Sequence, residues 1–301
     1  MRLDEIVGMR RGRALRSVRR TAVALLGVIV AASGAICTAA DGTAAAGAAT
    51  ATAAIASGVI AGAGSATTTI VPADPAADPI KAAVADPSRT ADDRARDDRD
   101  HAVEVLSFFE IRPGMVVADI FAAGGYYSEL IGRIVGPTGK VYLYNNAGYA
   151  KYAAKPLAER INSGRLLNVD VIQKEVGDIG IRAGSVDVVL MSMSYHDLYF
   201  KDEGWSVDPA ELFAEVHSML RKGGELAIID HAANPGTGSA PAQQLHRIDE
   251  AFARKDIESR GFRYVDSLDV LRNPADDHTK VVFDPAIRGR TDRFIDKFVR
   301  E

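Results

Sequence analysis

The sequence predicts one doubly wound α/β domain over residues 80–301, a mostly parallel sheet with helices on both faces. Three observations predict it. Short apolar runs of strand length, such as Met115–Phe121 and Val186–Met191, read as strands buried on both faces. Segments with helical spacing of apolar residues separate these runs, and glycine or proline marks most junctions. Strands that alternate with helices in this way pair in parallel through crossover connections.

Thr90 and Asp93 form an N-cap with an acid at its third position, and Ala102, Val105, Leu106 and Phe109 continue at helical spacing. The charges from Asp92 to Asp100 then form a solvated face. A turn at Arg112–Gly114 leads into the strand Met115–Phe121. Gly124–Gly125 break the chain, a helix spans Tyr126–Val135, and Gly136–Pro137 stop it. A strand at Lys140–Tyr144, a helix at Lys151–Ile161, a strand within Leu167–Val176 and a strand at Val186–Met191 follow. Asp208, Pro209 and Glu211 give a cap, a proline at N1 and an acid at N3, so a helix starts there and ends at Gly223–Gly224. A strand at Glu225–Asp230, one helix over Ala242–Ser259, and strands at Arg263–Leu271 and Lys280–Phe283 complete the expected order. Arg247 with Asp249, and Arg288 and Arg293 with Asp292, are expected to pair on the surface.

The N-terminus has a different character. Residues 1–40 carry seven Arg against Asp4 and Glu5, and Thr21–Ala40 are uncharged. A basic stretch followed by an apolar one and then small residues is the order of a secretory signal, with an uncleaved membrane tether as the alternative. Both place the body in the periplasm or otherwise facing away from the cytosol. Residues 41–79 are rich in Ala, Gly and Thr and read as a disordered linker. The single cysteine, Cys37, lies in the apolar segment, so no disulfide is expected in the body. With a net charge of −4 for the whole chain and its arginines concentrated at the N-terminus, the body is acidic, which argues against a nucleic-acid partner. Nothing in the sequence indicates an oligomeric state.

Ligands of doubly wound sheets bind beyond the carboxyl ends of the strands, where the strand order reverses. The turn after the first strand combines Asp119, Phe121, Ala123, Gly124, Gly125 and Tyr126, small residues that let backbone N–H groups approach a ligand as the helix begins. This segment resembles motif I of class I S-adenosylmethionine-dependent methyltransferases. The chain is similar to a bacterial group of methyltransferases with N-terminal signals. The similarity runs over about residues 92–298, through GGYYSEL, Ser194–Tyr199, Lys222–Gly224, Asp230–His231, His246–Asp249, Leu271–Pro274 and Arg288–Asp292. It implies a Rossmann-like domain, S-adenosylmethionine as cofactor, and methyl transfer to an O, N or S nucleophile of a small molecule. Aligned on Asp119, the chain has Phe121 and Ala123 where that motif has its first two glycines and keeps the third as Gly125. Where the superfamily often closes its second strand with a ribose-binding acid, this chain has Asn145, and Asp178 takes the adenine side by position.

Tyr195, His196 and Asp197 follow the strand at Val186–Met191, at the edge where a methyl acceptor would lie. His titrates in the range a base needs, so His196 is the favoured base, with Tyr195 and Asp197 beside it and His231 a second acid–base or orienting group. Trp205 is a candidate lid aromatic. No compact ligand spacing such as His-x-x-x-His occurs around these residues, so no metal is expected. The competing reading is a non-catalytic ligand-binding or scaffold module that keeps the fold, favoured by Phe121, Ala123 and Asn145.

Overall fold

The computed structural model describes residues 78–301, and the expected signal or tether and nearly all of the linker lie outside the described residues. The elements are α1 (Pro79–Val84), α2 (Ala91–Arg99), α3 (Ala102–Phe108), β1 (Val116–Ile120), α4 (Tyr126–Val135), β2 (Lys140–Asn145), α5 (Ala147–Asn162) and β3 (Val169–Gln173). They continue as β4 (Val186–Ser192), α6 (Pro209–Met219), β5 (Leu220–His231), α7 (Ala242–Leu245), α8 (Glu250–Glu258), β6 (Phe262–Ser267) and β7 (Arg293–Arg300).

The sheet has seven strands in the order β3-β2-β1-β4-β5-β7-β6. All pairs are parallel except those of β7, which runs antiparallel to β5 and β6. The order reverses between β1 and β4, so their carboxyl ends flank the crevice where a ligand is expected. Side chains alternate across the strands and feed two cores. Ala118, Ile120, Leu226 and Ile228 face α6 and α8, whereas Val117, Ala227 and Ile229 face α1, α3 and α4.

The Thr90 and Asp208 caps form as expected, each side-chain oxygen accepting a backbone N–H of its helix. Helix α4 runs from Tyr126 to Val135 as the sequence predicts. Elsewhere the structure corrects the sequence reading. The helix expected from Thr90 onward is two helices, α2 and α3, because His101 adopts a left-handed conformation. The helix expected over Ala242–Ser259 is likewise broken by left-handed His246 into α7 and α8. Gly223 and Gly224 do not end α6; it stops at Met219 and both glycines lie inside β5. Lys280–Phe283 is not a strand, and the last strand is β7.

The charged face of α2 is only partly solvated: Asp92, Arg94, Asp98 and Arg99 are exposed as expected, and three acids are not. Asp93, Asp97 and Asp100 are buried. Asp93 pairs with Arg160 at 2.5 Å and Arg165 at 2.6 Å, Asp97 with Arg89 at 2.7 Å, and Asp100 with Arg96 at 2.6 Å and Arg293 at 2.9 Å. Arg247 is buried as well, bonded to Asp276 at 2.9 Å and to the Ala232 carbonyl, while Asp249 caps α8 and Asp292 accepts the Asn273 N–H. The alternative to these partners was an unpaired buried charge, which costs several kcal/mol, on the order of 3–5, so the pairs pin α2 and the C-terminal segment to the sheet.

Candidate active site

The turn from Phe121 to Gly125 departs from β1 beside the point where the sheet order reverses. Phe121 (φ 53°) and Ala123 (φ 49°) adopt the left-handed conformation although neither is glycine, and Gly125 does so at φ 79°. Left-handed backbone costs a side-chain-bearing residue on the order of 1 kcal/mol. Surrounding bonds hold it in place. The Asn145 side chain accepts the Ala123 N–H at 2.9 Å and donates to the Ala123 carbonyl at 3.0 Å, and Arg160 Nε donates to the Gly124 carbonyl at 2.8 Å. The chain thus keeps a glycine-type turn without the first two glycines.

A cavity of about 910 Å³ opens against this turn. Its floor is Asp119, Phe121, Ala122, Ala123, Gly124 and Tyr126; α5 adds Tyr149 and Pro156, and the end of β4 adds Ser192 and Met193. Phe121 does not obstruct it. Its ring is 2% exposed and packs on Tyr144, Tyr149 and Trp205 at centroid distances of 5.5, 4.9 and 5.3 Å. The indole N–H of Trp205 donates to the Asp197 carbonyl at 2.8 Å, which seats the expected lid aromatic as a wall of the cavity.

Three histidines meet at the far end. His196 and His231 rings lie 5.8 Å apart, and His196 and His246 rings 5.5 Å apart. His196 Nδ1 bonds Asp230 at 2.6 Å and its Nε2 lies 3.1 Å from Asp197 Oδ1. A carboxylate only accepts, so Nδ1 donates to Asp230, and the second carboxylate beside Nε2 favours the charged ring. Burial opposes that charge, but Asp230 and Asp197 outweigh it and push the pKa up to about 10. Asp197 is held well below the ordinary carboxylate range, its burial overcome by His196, His246 and the Tyr149 hydroxyl. His231 Nδ1 bonds the Thr291 hydroxyl at 2.8 Å. Burial, the His196 cation and then Arg293 and Arg247 drive its pKa well below the usual imidazole value, so it is neutral. Asp119 is buried against Ser128 at 2.6 Å, and burial, only partly offset by that bond, raises it to about 7.

Of the residues expected from sequence, Asp119, Phe121, Ala123, Gly124, Tyr126, His196, Asp197 and His231 line one cavity. Four do not. Asn145 is spent on Ala123 and presents no ribose acceptor of the expected kind. Gly125 turns toward Leu143, 2.8 Å from where a Cβ would sit, and so shapes the turn from behind. Asp178 pairs with Lys174 at the surface, because the Gly177 and Ile179 N–H groups on either side bind Glu215 and hold the loop against α6. Tyr195 sits in the core with its hydroxyl on Asp256 at 2.7 Å; the one-turn 3₁₀ segment His196–Tyr199 sends neighbouring side chains in different directions. His246, Tyr149 and Arg96 belong to the cavity and were not identified as site residues from sequence. For His246 the only signal was the His246–Asp249 segment itself.

The residues present suit a sulfonium cofactor. Aromatic rings at Tyr149 and Trp205 and the Asp197 carboxylate complement a cation, the turn brings backbone close, and the volume suits a ligand of nucleoside size.

Residues 119–228 match the family described as "Methyltransferase domain". Among solved structures, an S-adenosylmethionine-dependent methyltransferase from Aquifex aeolicus is 22% identical, with a TM-score of 0.49 over 66% of this chain and 88% of that one. The arsenic(III) S-adenosylmethionine methyltransferase of Chlamydomonas reinhardtii is 16% identical, with a TM-score of 0.46 over 74% of this chain and 73% of that one. The geranyl diphosphate C-methyltransferase of Streptomyces coelicolor, in complex with Mg²⁺, geranyl diphosphate and S-adenosylhomocysteine, is 15% identical, with a TM-score of 0.48 over 73% and 88%. No curated protein matches the chain.

Proposed function

We propose that the chain is a methyltransferase of the class I fold that takes S-adenosylmethionine as its cofactor and methylates an O, N or S nucleophile of a small molecule; the match of residues 119–228 to a methyltransferase domain and the strand order of the sheet support this reading. The observation that carries the reading is one cavity bounded at one end by the β1 turn and at the other by His196, Asp197, His231 and His246. Bound in it, the cofactor supplies an electrophilic methyl group. The backbone from Phe121 to Gly124 and the rings of Tyr149 and Trp205 hold it, and Arg96, stacked 3.8 Å from the centre of the Tyr126 ring, supplies a cation for its carboxylate.

His196 is not the base. Both its nitrogens face carboxylates, Nδ1 on Asp230 and Nε2 toward Asp197, so it holds those two groups in place and has no free lone pair with which to take a proton. His231 is the base: it is neutral and lines the cavity, and its Nε2 takes no bond among the described residues. A scaffold without cofactor is not favoured, since Phe121 and Ala123 retain the strained backbone that glycines would adopt without cost.

The exported location is part of the same proposal. The basic-then-apolar order of residues 1–40 supports it, and fractionation of cells making the full chain is expected to recover it outside the cytosol. No helix among the described residues is long and apolar enough to cross a membrane.

The catalytic proposal is tested by incubating the full chain with S-adenosylmethionine and a panel of small phenols, amines, thiols and carboxylic acids, and measuring S-adenosylhomocysteine released. At least one acceptor is expected to support turnover, reduced on the order of 10²-fold or more by His231→Ala with cofactor affinity unchanged. Turnover that His231→Ala leaves intact would remove His231 from the role of base.

A further inference from the structure

We propose that the His196–Asp197–His246 corner of the cavity binds one divalent first-row transition-metal ion. One ligand atom each of His196, Asp197 and His246 lies within 4.8 Å of the others, although the sequence brings only the first two residues together. Asp197 Oδ1 is 3.1 Å from His196 Nε2 and 3.3 Å from His246 Nδ1. Ligand atoms about 2.1 Å from a tetrahedral metal stand roughly 3.4 Å apart, close to both carboxylate–imidazole distances, so the two imidazoles are the pair that closes in around the ion.

Each ligand is also held from behind, as metal ligands are. Fully buried Asp230 takes the Nδ1–H of His196 at 2.6 Å, fixing the tautomer that presents Nε2, and accepts the backbone N–H groups of His196 and His231 at 2.7 Å each. The Tyr149 hydroxyl donates to Asp197 Oδ2 and leaves Oδ1 for the ion. His246 stands at a strained φ of 53° that splits α7 from α8, with its ring between Phe200 at 4.7 Å and Phe283 at 4.9 Å. Strain at a residue clamped by two aromatic rings is what a position fixed for its side chain requires.

Two imidazoles and one carboxylate suit zinc, iron, cobalt or nickel rather than magnesium or calcium, which prefer oxygen alone. Binding exchanges one cation for another: the proton on His196 Nε2 leaves to solvent and the metal takes its place, with no change of oxidation state. All three residues line the cavity, so the remaining coordination positions open into it and take an oxygen or sulfur of the acceptor. That last role rests on the methyltransferase reading; the ion site does not.

The test uses the full chain, freed of metal with a chelator at neutral pH and titrated with Co²⁺ in an absorption cell and with Zn²⁺ in a calorimeter. One equivalent of each is expected, with visible cobalt bands of a low-coordinate N/O site. Affinity falls at least tenfold in His246→Ala and in Asp197→Asn, and is retained in His231→Ala. His246→Gln, with circular dichroism on every variant, separates loss of a ligand from loss of fold. Absence of cobalt bands, or binding that neither His246 nor Asp197 substitutions alter, would overturn the proposal. S-adenosylhomocysteine binding measured on the same metal-free protein reports separately on the methyltransferase reading, which fails if that binding is absent while the cobalt bands remain.

Discussion

Asn145 ends β2 with its amide folded back on the β1 turn, bonding both backbone groups of Ala123. Asn145→Ala leaves those groups unpaired and is expected to cost about 1–3 kcal/mol, read as a lower urea midpoint. Asn145→Asp keeps an acceptor for the Ala123 N–H but sets a carboxylate against the Ala123 carbonyl. It is therefore expected to weaken S-adenosylhomocysteine binding, and tighter binding would mean that Asn145 is a ribose ligand after all. Ala123 sits at φ 49°, so Ala123→Gly removes the left-handed cost and is expected to raise stability by about 1 kcal/mol. A lower melting temperature in that variant would contradict the strained-turn account.

Helix α2 shows the physics of an element with one face of internal charge, Asp93, Asp97 and Asp100. Burial raises the Asp93 and Asp100 carboxyls, but Arg160 and Arg165 on one and Arg96 and Arg293 on the other outweigh it and hold both at about 2. A carboxyl depressed in the folded state contributes stability that is complete above its unfolded pKa, near 3.9, and is lost as pH falls through the folded value. Urea midpoints are therefore expected to drop between about pH 4 and pH 2, with a shallower slope in Asp93→Asn. A profile flat over that range would mean that these pairs are not formed. Local patterns exposed much of this architecture to sequence reading: the Thr90 and Asp208 caps and the glycines around α4 each act within a few residues. What decides α2 acts at long range. Arg165 lies 72 residues from Asp93 and Arg293 lies 193 from Asp100, so a run of charges in sequence looks the same whether its partners are water or arginine. Strand β7 was hidden for the same reason, since Arg293 and Asp296 are neutralised by Asp100 and Arg254.

At the scale of the molecule, the cavity gathers residues from both ends of the described chain, Arg96 from α2 and Val282 and Phe283 from the segment before β7, onto the carboxyl ends of β1, β4 and β5. This separation is why the turn at Asp119–Tyr126 and the histidines 196 and 231 were legible as candidates, being strand ends of a predictable sheet, whereas His246 was not: a broken helix places it, and no local pattern announces the break. The Arg293–Asp100 pair joins the two ends, and Arg293→Met is expected to cost about 3 kcal/mol or more by leaving a buried carboxylate short of a partner, measured by equilibrium unfolding. Whether this cavity takes S-adenosylmethionine, as proposed, is decided by calorimetric titration of the full chain with S-adenosylhomocysteine. One equivalent is expected to bind at micromolar affinity and to be lost in Gly124→Asp, whose Cβ alone would stand 3.0 Å from Pro156 and whose carboxylate adds a charge to the turn; no heat up to millimolar ligand, or binding untouched by Gly124→Asp, would rule the site out.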